Sequence, residues 1–295
     1  MWDWDLARAA RFGTPRVSTA ALDYRQHGES WSAQIQEKDR SRGEFLAVVR
    51  RRNAHLAIGA VLSGRLPGLF PRWLDAMATA TRRIETAEPP SLILLDNSRD
   101  PEFRDLVERE LARHNETFRV MRVIPYPVTF SWTTEKERRD RVAQFLAAAY
   151  QRLAAEMAAD VHWFVEDDVL IPLDGGVQLW LSLTGGAVLP HGVSGCYRNR
   201  HLPERYVGGW WRSSRAEEPN AISREGKAFE VDFVGTGCLM YWPSRTPDWT
   251  ESHVRGVPAH DWAWSARVKD LSGLLLIHPA VNCRHAVDET TFLDG

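Results

Sequence analysis

The chain has 295 residues, 44% of them hydrophobic and 26% charged, with a formal net charge of −2. That length suits one large domain or two small ones, and the near-neutral balance gives no global signal for nucleic acid or a membrane surface, so a polyanion partner would need a local basic patch. Cys196, Cys238 and Cys283 lack CxxC spacing, Asp3, Asp5, Arg8, Arg11 and Arg16 break up any signal-peptide core, and no apolar run reaches the roughly 18 residues of a membrane span; together these predict a cytoplasmic protein with free thiols.

Residues 1 to 54 have no clear period and read as an irregular or helical N-terminal extension ending in Arg50-Arg51-Arg52, a solvated helix end or a phosphate contact. From His55 the texture changes, and residues 55 to 295 read as the main domain. Leu56 to Leu62 is a buried-strand run closed by Ser63-Gly64-Arg65-Leu66-Pro67-Gly68. Leu69, Trp73, Met77, Ala80 and Ile84 then recur at helical spacing. Backbone amides in a strand-to-helix turn of this kind can hold a phosphate. A second strand, Ser91 to Leu95, ends in Asp96-Asn97-Ser98, with Pro101 at the first turn of the next helix. Asp96 is either a ligand contact at a strand end or the cap of that helix.

Phe118 to Ile124 alternates apolar and basic residues, as a half-exposed strand does. Val142, Phe145, Leu146, Ala149, Leu153 and Met157 mark a long helix. It leads into Val161-His162-Trp163-Phe164-Val165-Glu166-Asp167-Asp168, an apolar strand that delivers three consecutive acids. Carboxylates crowded between apolar runs stay ionised only beside a cation. An oxygen-rich site at a strand end suits Mg²⁺ or Mn²⁺, which in turn holds phosphates; the alternative is an acidic turn after an edge strand. The β-α-β-α-β-α-β order predicts a mostly parallel sheet with the acids on the same rim as Ser63 to Arg65 and Asp96.

After Pro172 the pattern loosens into a short helix, Val177 to Leu183, and strand pieces at Ala187-Val188-Leu189 and Val193 to Tyr197. Arg198, Arg200, Arg205, Arg212 and Arg215 against Glu204 surround Gly208-Gly209-Trp210-Trp211. A glycine-hinged basic loop with paired tryptophans reads as an acceptor-binding lid able to stack a sugar or a base, or as a surface loop whose tryptophans plug into the core. Phe229 to Val234 is a strand, and Gly235-Thr236-Gly237-Cys238 is a kink or a close approach of backbone to a ligand. His260-Asp261 opens the last helix, with Asp261 as its cap or as a general base; Val281 to His285 closes the pattern.

In order and spacing, Val61-Leu62-Ser63-Gly64-Arg65, Leu94-Leu95-Asp96-Asn97, Phe164 to Asp168, Gly235 to Cys238, and His260-Asp261 with Cys283-Arg284-His285 resemble the GT-A glycosyltransferase superfamily, most of all family 2. The resemblance spans about residues 55 to 285. It implies a Rossmann-like, mostly parallel sheet flanked by helices, with a nucleotide-sugar half at 55–172 and an acceptor half at 173–295. It implies that Ser63, Gly64, Arg65, Asp96, Asn97, Glu166 and Asp167 line the nucleotide-sugar pocket, that Asp168 and His285 hold Mn²⁺ or Mg²⁺, and that Asp261 is the base of an inverting transfer. Trp210, Trp211, Gly235, Thr236, Gly237 and His260 fall on the acceptor side. The chain departs from the pattern in having Glu166 as the first acid of the DxD position and His260 before Asp261.

The expected activity is metal-dependent transfer of a sugar from a nucleotide diphosphate sugar, a UDP-sugar first among donors, to a hydroxyl. The acceptor is a saccharide, a small molecule or a hydroxymethylated base in DNA, as for viral enzymes similar to this superfamily. The basic tryptophan loop favours DNA and the net charge of −2 opposes it. A non-catalytic nucleotide-sugar-binding module is the alternative. A haloacid-dehalogenase-type phosphatase would need its aspartates after the first strand, not the fourth.

Overall fold

The structure, a computed structural model, describes residues 47–186, 188–212, 215–222 and 226–294. The proposed extension before residue 47, Ala187, and the side chains of Arg212 and Arg215 lie outside the described residues. The first strands in chain order are β1 (Leu56–Leu62), β2 (Ser91–Asp96), β3 (Val120–Pro125), β4 (Val161–Val165), β5 (Val169–Leu170) and β6 (Gly192–Cys196). Next come β7 (Trp210–Arg212), β8 (Arg215–Glu217), β9 (Phe229–Val231) and β10 (Cys238–Tyr241). The last are β11 (His253–Val254), β12 (Val257–Pro258), β13 (Leu275–Asn282), β14 (Arg284–Ala286) and β15 (Phe292–Asp294). Among the described residues, 47–53 are helical, and the helices that follow are α1 (Phe70–Thr81), α2 (Pro101–Ala112), α3 (Glu135–Glu156), α4 (Gly175–Thr184) and α5 (His260–Asp270).

Eight strands form one sheet in the order β3-β2-β1-β4-β10-β6-β13-β9. β1 to β4 run parallel, β10 runs antiparallel between β4 and β6, and β9 runs antiparallel at the β13 edge. β1 shows why the runs are apolar on both faces. Leu56, Ile58, Ala60 and Leu62 enter one core with α1, α2 and α4, while Ala57 enters the other with α3 and α5. Side chains alternate across a strand, so a sheet covered on both faces needs continuous rather than alternating hydrophobicity. Trp73, Met77 and Ala80 of α1 are fully buried, as their helical spacing predicts. Each large side chain so buried contributes about 1.5–3 kcal/mol. Gly59 lets α3 sit against the sheet, because a Cβ there would lie 2.6 Å from Met157 Sδ and 2.9 Å from Leu153 Cδ2.

Several local expectations are corrected. Asp100, not Asp96, caps α2, accepting from Glu102 N. Ala259 occupies the cap position of α5, so Asp261 is not a cap. Val188 and Leu189 are not in a strand. On α3, Ala149 and Leu153 are buried as the predicted stripe requires, with Met157 just past its end, but Ala143, Ala147 and Tyr150 join them while Val142, Phe145 and Leu146 are only half-buried.

Candidate active site

Parallel strands put their carboxyl ends on one rim, and that is where the chemistry-bearing side chains collect. Leu62 pairs with Asp96 across β1 and β2, and β4 lies beside β1, so Ser63, Asp96 and Glu166 emerge together. β10 reaches the same rim from the opposite direction, with Gly237 O accepting from Glu166 N at 3.2 Å.

The three acids diverge. Glu166 Oε1 accepts from Thr236 Oγ1 at 2.8 Å and from Tyr150 Oη at 3.5 Å. Burial, and then the charge of Asp168, pushes the Glu166 carboxyl up. Asp167 turns back to the β1 loop and accepts from Ser63 N at 2.7 Å and Ser63 Oγ at 2.9 Å. Burial and the adjacent Asp168 push it up to about 7 despite those bonds. Asp168 takes one η nitrogen from each of two arginines on Oδ2, Arg65 at 2.8 Å and Arg200 at 2.5 Å. Burial works to raise Asp168, but His285, Arg200 and Arg65 outweigh it and hold the carboxyl below its usual range. Its other oxygen, Oδ1, is buried without a hydrogen-bond partner and lies 3.5 Å from His285 Nε2.

A small sheet brings His285 there. β14 pairs with β5 so that His285 faces Val169, and Ala286 N donates to Asp168 O at 2.8 Å. His285 Nδ1 donates to Arg198 O at 2.8 Å, because a carbonyl can only accept. That leaves Nε2 as the nitrogen facing the acids. Burial works against protonating His285, yet Asp168 beside it raises its pKa above the ordinary histidine value. Ligand atoms of Glu166, Asp168 and His285 all lie within 4.8 Å of one another. Two carboxylates and an imidazole anchored through its second nitrogen, with an orphaned buried oxygen between them, fit a divalent cation such as Mn²⁺.

A cleft of about 750 Å³ opens beside this cluster, lined among others by Glu166, Tyr197, Arg200, His260, Asp261 and His285. Asp261 sits in the first turn of α5, where its Oδ1 accepts from Trp262 N at 2.9 Å. Burial, with the charge of Glu166 adding to it, pushes Asp261 up to about 7. His260 stacks on Tyr150 with ring centroids 5.2 Å apart and lies 3.4 Å from Thr236 Oγ1 through Nε2. Burial pushes its pKa down to about 3, so it is a neutral, weak base.

Thr236 and Gly237 bond to Glu166, but Gly235, Thr236 and Gly237 are not among the residues that line the cleft, and the close approach there is to a side chain of the protein itself. A Cβ on Gly237 would lie 2.5 Å from Tyr197 Cζ, and Gly237 N donates to Tyr197 Oη at 2.8 Å. On the other side, Gly64 takes φ +64° in the β1–α1 turn. Both oxygens of Asp96 are already engaged, by Ser98 N at 2.7 Å and Arg104 Nε at 2.9 Å. Asn97 Oδ1 accepts from Val128 N at 3.0 Å.

Trp210 and Trp211 are placed elsewhere. They start β7, which pairs with β8 as a hairpin. Trp210 stacks on Phe229 and donates to Glu230 O, while Trp211 packs on Phe233 and Trp262 under Arg255. Neither is among the residues that line the cleft. Three residues of the site carried no sequence signal of their own: Arg200, Tyr150 and Tyr197. Arg200 is one of five arginines in a run with no period, Tyr197 closes the strand piece that starts at Val193, and Tyr150 lies within the long helix outside its expected apolar stripe. No helix among the described residues is long and apolar enough to cross a membrane.

No protein-family model and no curated protein matches the chain. Solved structures do. One is GalNAc-T7 with UDP, GalNAc and Mn²⁺, at TM-score 0.55 and 10% identity, over 79% of this chain. This chain spans 43% of the length of that one. Another is the mannosyltransferase PcManGT from Pyrobaculum calidifontis in complex with GDP-Man and Mn²⁺, at TM-score 0.51 and 11% identity, over 88% of this chain and 69% of that one. At such identities the likeness establishes the fold, and the fold is GT-A.

Proposed function

We propose that this GT-A chain is a divalent-metal-dependent, inverting glycosyltransferase that moves a sugar from a nucleotide diphosphate sugar to an acceptor hydroxyl. The observation that carries it is the meeting of Glu166, Asp168 and His285 beside a cleft that also contains Asp261. We assign the transferase to residues 55–295, with its nucleotide-sugar half at 55–172 and its acceptor half at 173–295, and treat residues 1–54 as an extension. The two solved structures, one with UDP and one with GDP-Man, make both nucleotides reasonable donors to test.

Glu166, Asp168 and His285 would hold the cation. A divalent cation supplies charge neutralisation of the leaving diphosphate. Arg65 and Arg200 supply guanidinium donors suited to phosphate oxygens. Ser63, Gly64, Asn97 and the Asp96–Arg104 pair shape the nucleotide side of the rim. Asp261, with its pKa raised to about 7, is ionised enough to act and basic enough to accept a proton. It takes the proton of the acceptor hydroxyl as that oxygen bonds to the anomeric carbon, and the bond from that carbon to the diphosphate breaks on the opposite face. Thr236 and Tyr150 orient Glu166. For the acceptor we propose a saccharide or small-molecule hydroxyl ahead of DNA, since the paired tryptophans that suggested base stacking pack against Phe229 and Phe233.

The test is donor consumption and product anomer by NMR, with and without Mn²⁺, across UDP- and GDP-sugars and an acceptor panel that includes hydroxymethylated DNA. Mn²⁺-dependent consumption that Asp168→Asn abolishes is the expected result. Donor affinity unchanged by Asp168→Asn, or no donor bound under any of these conditions, removes the proposal.

A further inference from the structure

Arg200 stands where a cation bound by Asp168 and His285 would compete with it. One of its η nitrogens is 2.5 Å from Asp168 Oδ2 and 3.1 Å from His285 Nε2. Nδ1 of His285 is committed to Arg198 O, so in the neutral ring Nε2 offers a single lone pair. That lone pair can accept from Arg200 or ligate a metal, and it cannot do both. Arg65 donates to the same Asp168 oxygen, so this carboxylate already faces two guanidinium charges.

The backbone that carries Arg200 is held on both sides, while its side chain faces the cleft. Arg198 forms a bridge with Tyr206 and stacks over that ring at 4.2 Å. Asn199 N donates to Arg205 O at 2.8 Å, and Asn199 Oδ1 accepts from His201 N at 2.9 Å. The backbone on both sides of Arg200 is therefore pinned. The Arg200 side chain is 25% exposed, lines the cleft, and has a buried Nε with no partner. A guanidinium with donors to spare, beside a site for a diphosphate, has an obvious second acceptor in phosphate oxygens.

Resting on the metal-site assignment proposed above, we infer that Arg200 is an internal counter-ion that holds the metal position and yields it when a divalent cation arrives together with a nucleoside diphosphate. A cation entering alone must break the Arg200 contacts and then share Asp168 with Arg65. A diphosphate brings the negative charge that balances the extra cation and gives Arg200 a new partner. Metal and nucleotide then tighten each other reciprocally, as linkage requires.

The experiment measures Mn²⁺ binding by EPR of the free ion, with and without UDP or GDP and with no sugar or acceptor present. The variants are Arg200→Gln, Arg200→Lys and Asp168→Asn, each checked by thermal melting. Wild type is expected to bind Mn²⁺ weakly alone and much more tightly with a nucleoside diphosphate. Arg200→Gln is expected to bind Mn²⁺ alone roughly 10- to 100-fold more tightly than wild type, the worth of a displaced charge-assisted bond, with less further gain from the nucleotide. Arg200→Lys, which keeps a charge without the forked donor, should fall between the two and serves if the glutamine variant does not fold. Asp168→Asn should remove binding throughout. Mn²⁺ affinity equal to or weaker than wild type in both Arg200 variants overturns the inference, as does an absence of Mn²⁺ binding in every protein. The readout needs no turnover, so expected Mn²⁺ affinities without sugar transfer would remove only the transferase proposal. Metal-dependent transfer with unchanged Mn²⁺ affinity in the Arg200 variants would remove only this inference.

Discussion

Replacing Asp261 by Asn removes a charge and almost no volume, so it isolates what the carboxylate does. Burial pushes this group from its ordinary 3.8 up to about 7. About three pKa units correspond to roughly 4 kcal/mol for ionising it inside the fold, and water in the adjoining cleft relaxes part of that, leaving about 2 kcal/mol. The folded-state pKa lies above the unfolded one, so the protonated form is the stabilised one. Its contribution is fully present below about pH 4 and is lost as pH rises through about 7. Asp261→Asn should therefore match wild type near pH 4 and be more stable at pH 8 by about 2 kcal/mol, a rise of roughly 4 to 8 °C in melting temperature. In turnover the sign reverses. Wild-type kcat should climb through about pH 7 as Asp261 ionises, and Asp261→Asn should lose about 10²- to 10⁴-fold in kcat with donor KM little changed. Melting scans across pH, paired with initial rates, read both effects on one preparation. A variant with near-normal kcat and no gain in stability at pH 8 would refute the base assignment. Neither His260 nor Asp232 offers a better base: His260 has its pKa pushed down to about 3, and Asp232 Oδ2 is held by Trp211 N at 2.8 Å.

Trp210→Ala should cost about 2 kcal/mol, less than a fully buried Trp, because Trp210 is half-buried against Phe229; acceptor KM should stay close to wild type, and a raised KM at normal stability would return Trp210 to the acceptor site. Gly237→Ala should destabilise by about 1–3 kcal/mol, since its Cβ would meet the Tyr197 ring at 2.5 Å and displace the phenol from Gly237 N; an unchanged urea midpoint would show that the loop has room.

Periodicity and punctuation in the amino-acid sequence determine the local elements here. The apolar runs at Leu56, Ser91 and Val161, the turn at Ser63 to Gly68 and the stripe through Trp73 and Met77 give the sheet and its flanking helices, because side-chain alternation and the helical repeat act between near neighbours. The order of those elements also determines the rim on which Ser63, Asp96 and Glu166 emerge, since parallel strands need right-handed crossovers that bring their carboxyl ends together. Tertiary structure alone decided how the rim is wired. Asp96 turned out to be bound by Arg104 and Asp100 to be the cap, a choice between two acids in one turn that depends on where the backbone amides point. The paired tryptophans looked like a lid by composition, and their facing was set by Phe229 and Phe233, which come later in the chain. Asp168, Arg200 and His285 meet only because β14 pairs with β5 and the segment after β6 folds over both. Such contacts join residues 32 and 85 positions apart, far beyond the range of any local pattern, and only the packed fold pays the chain entropy of bringing them together.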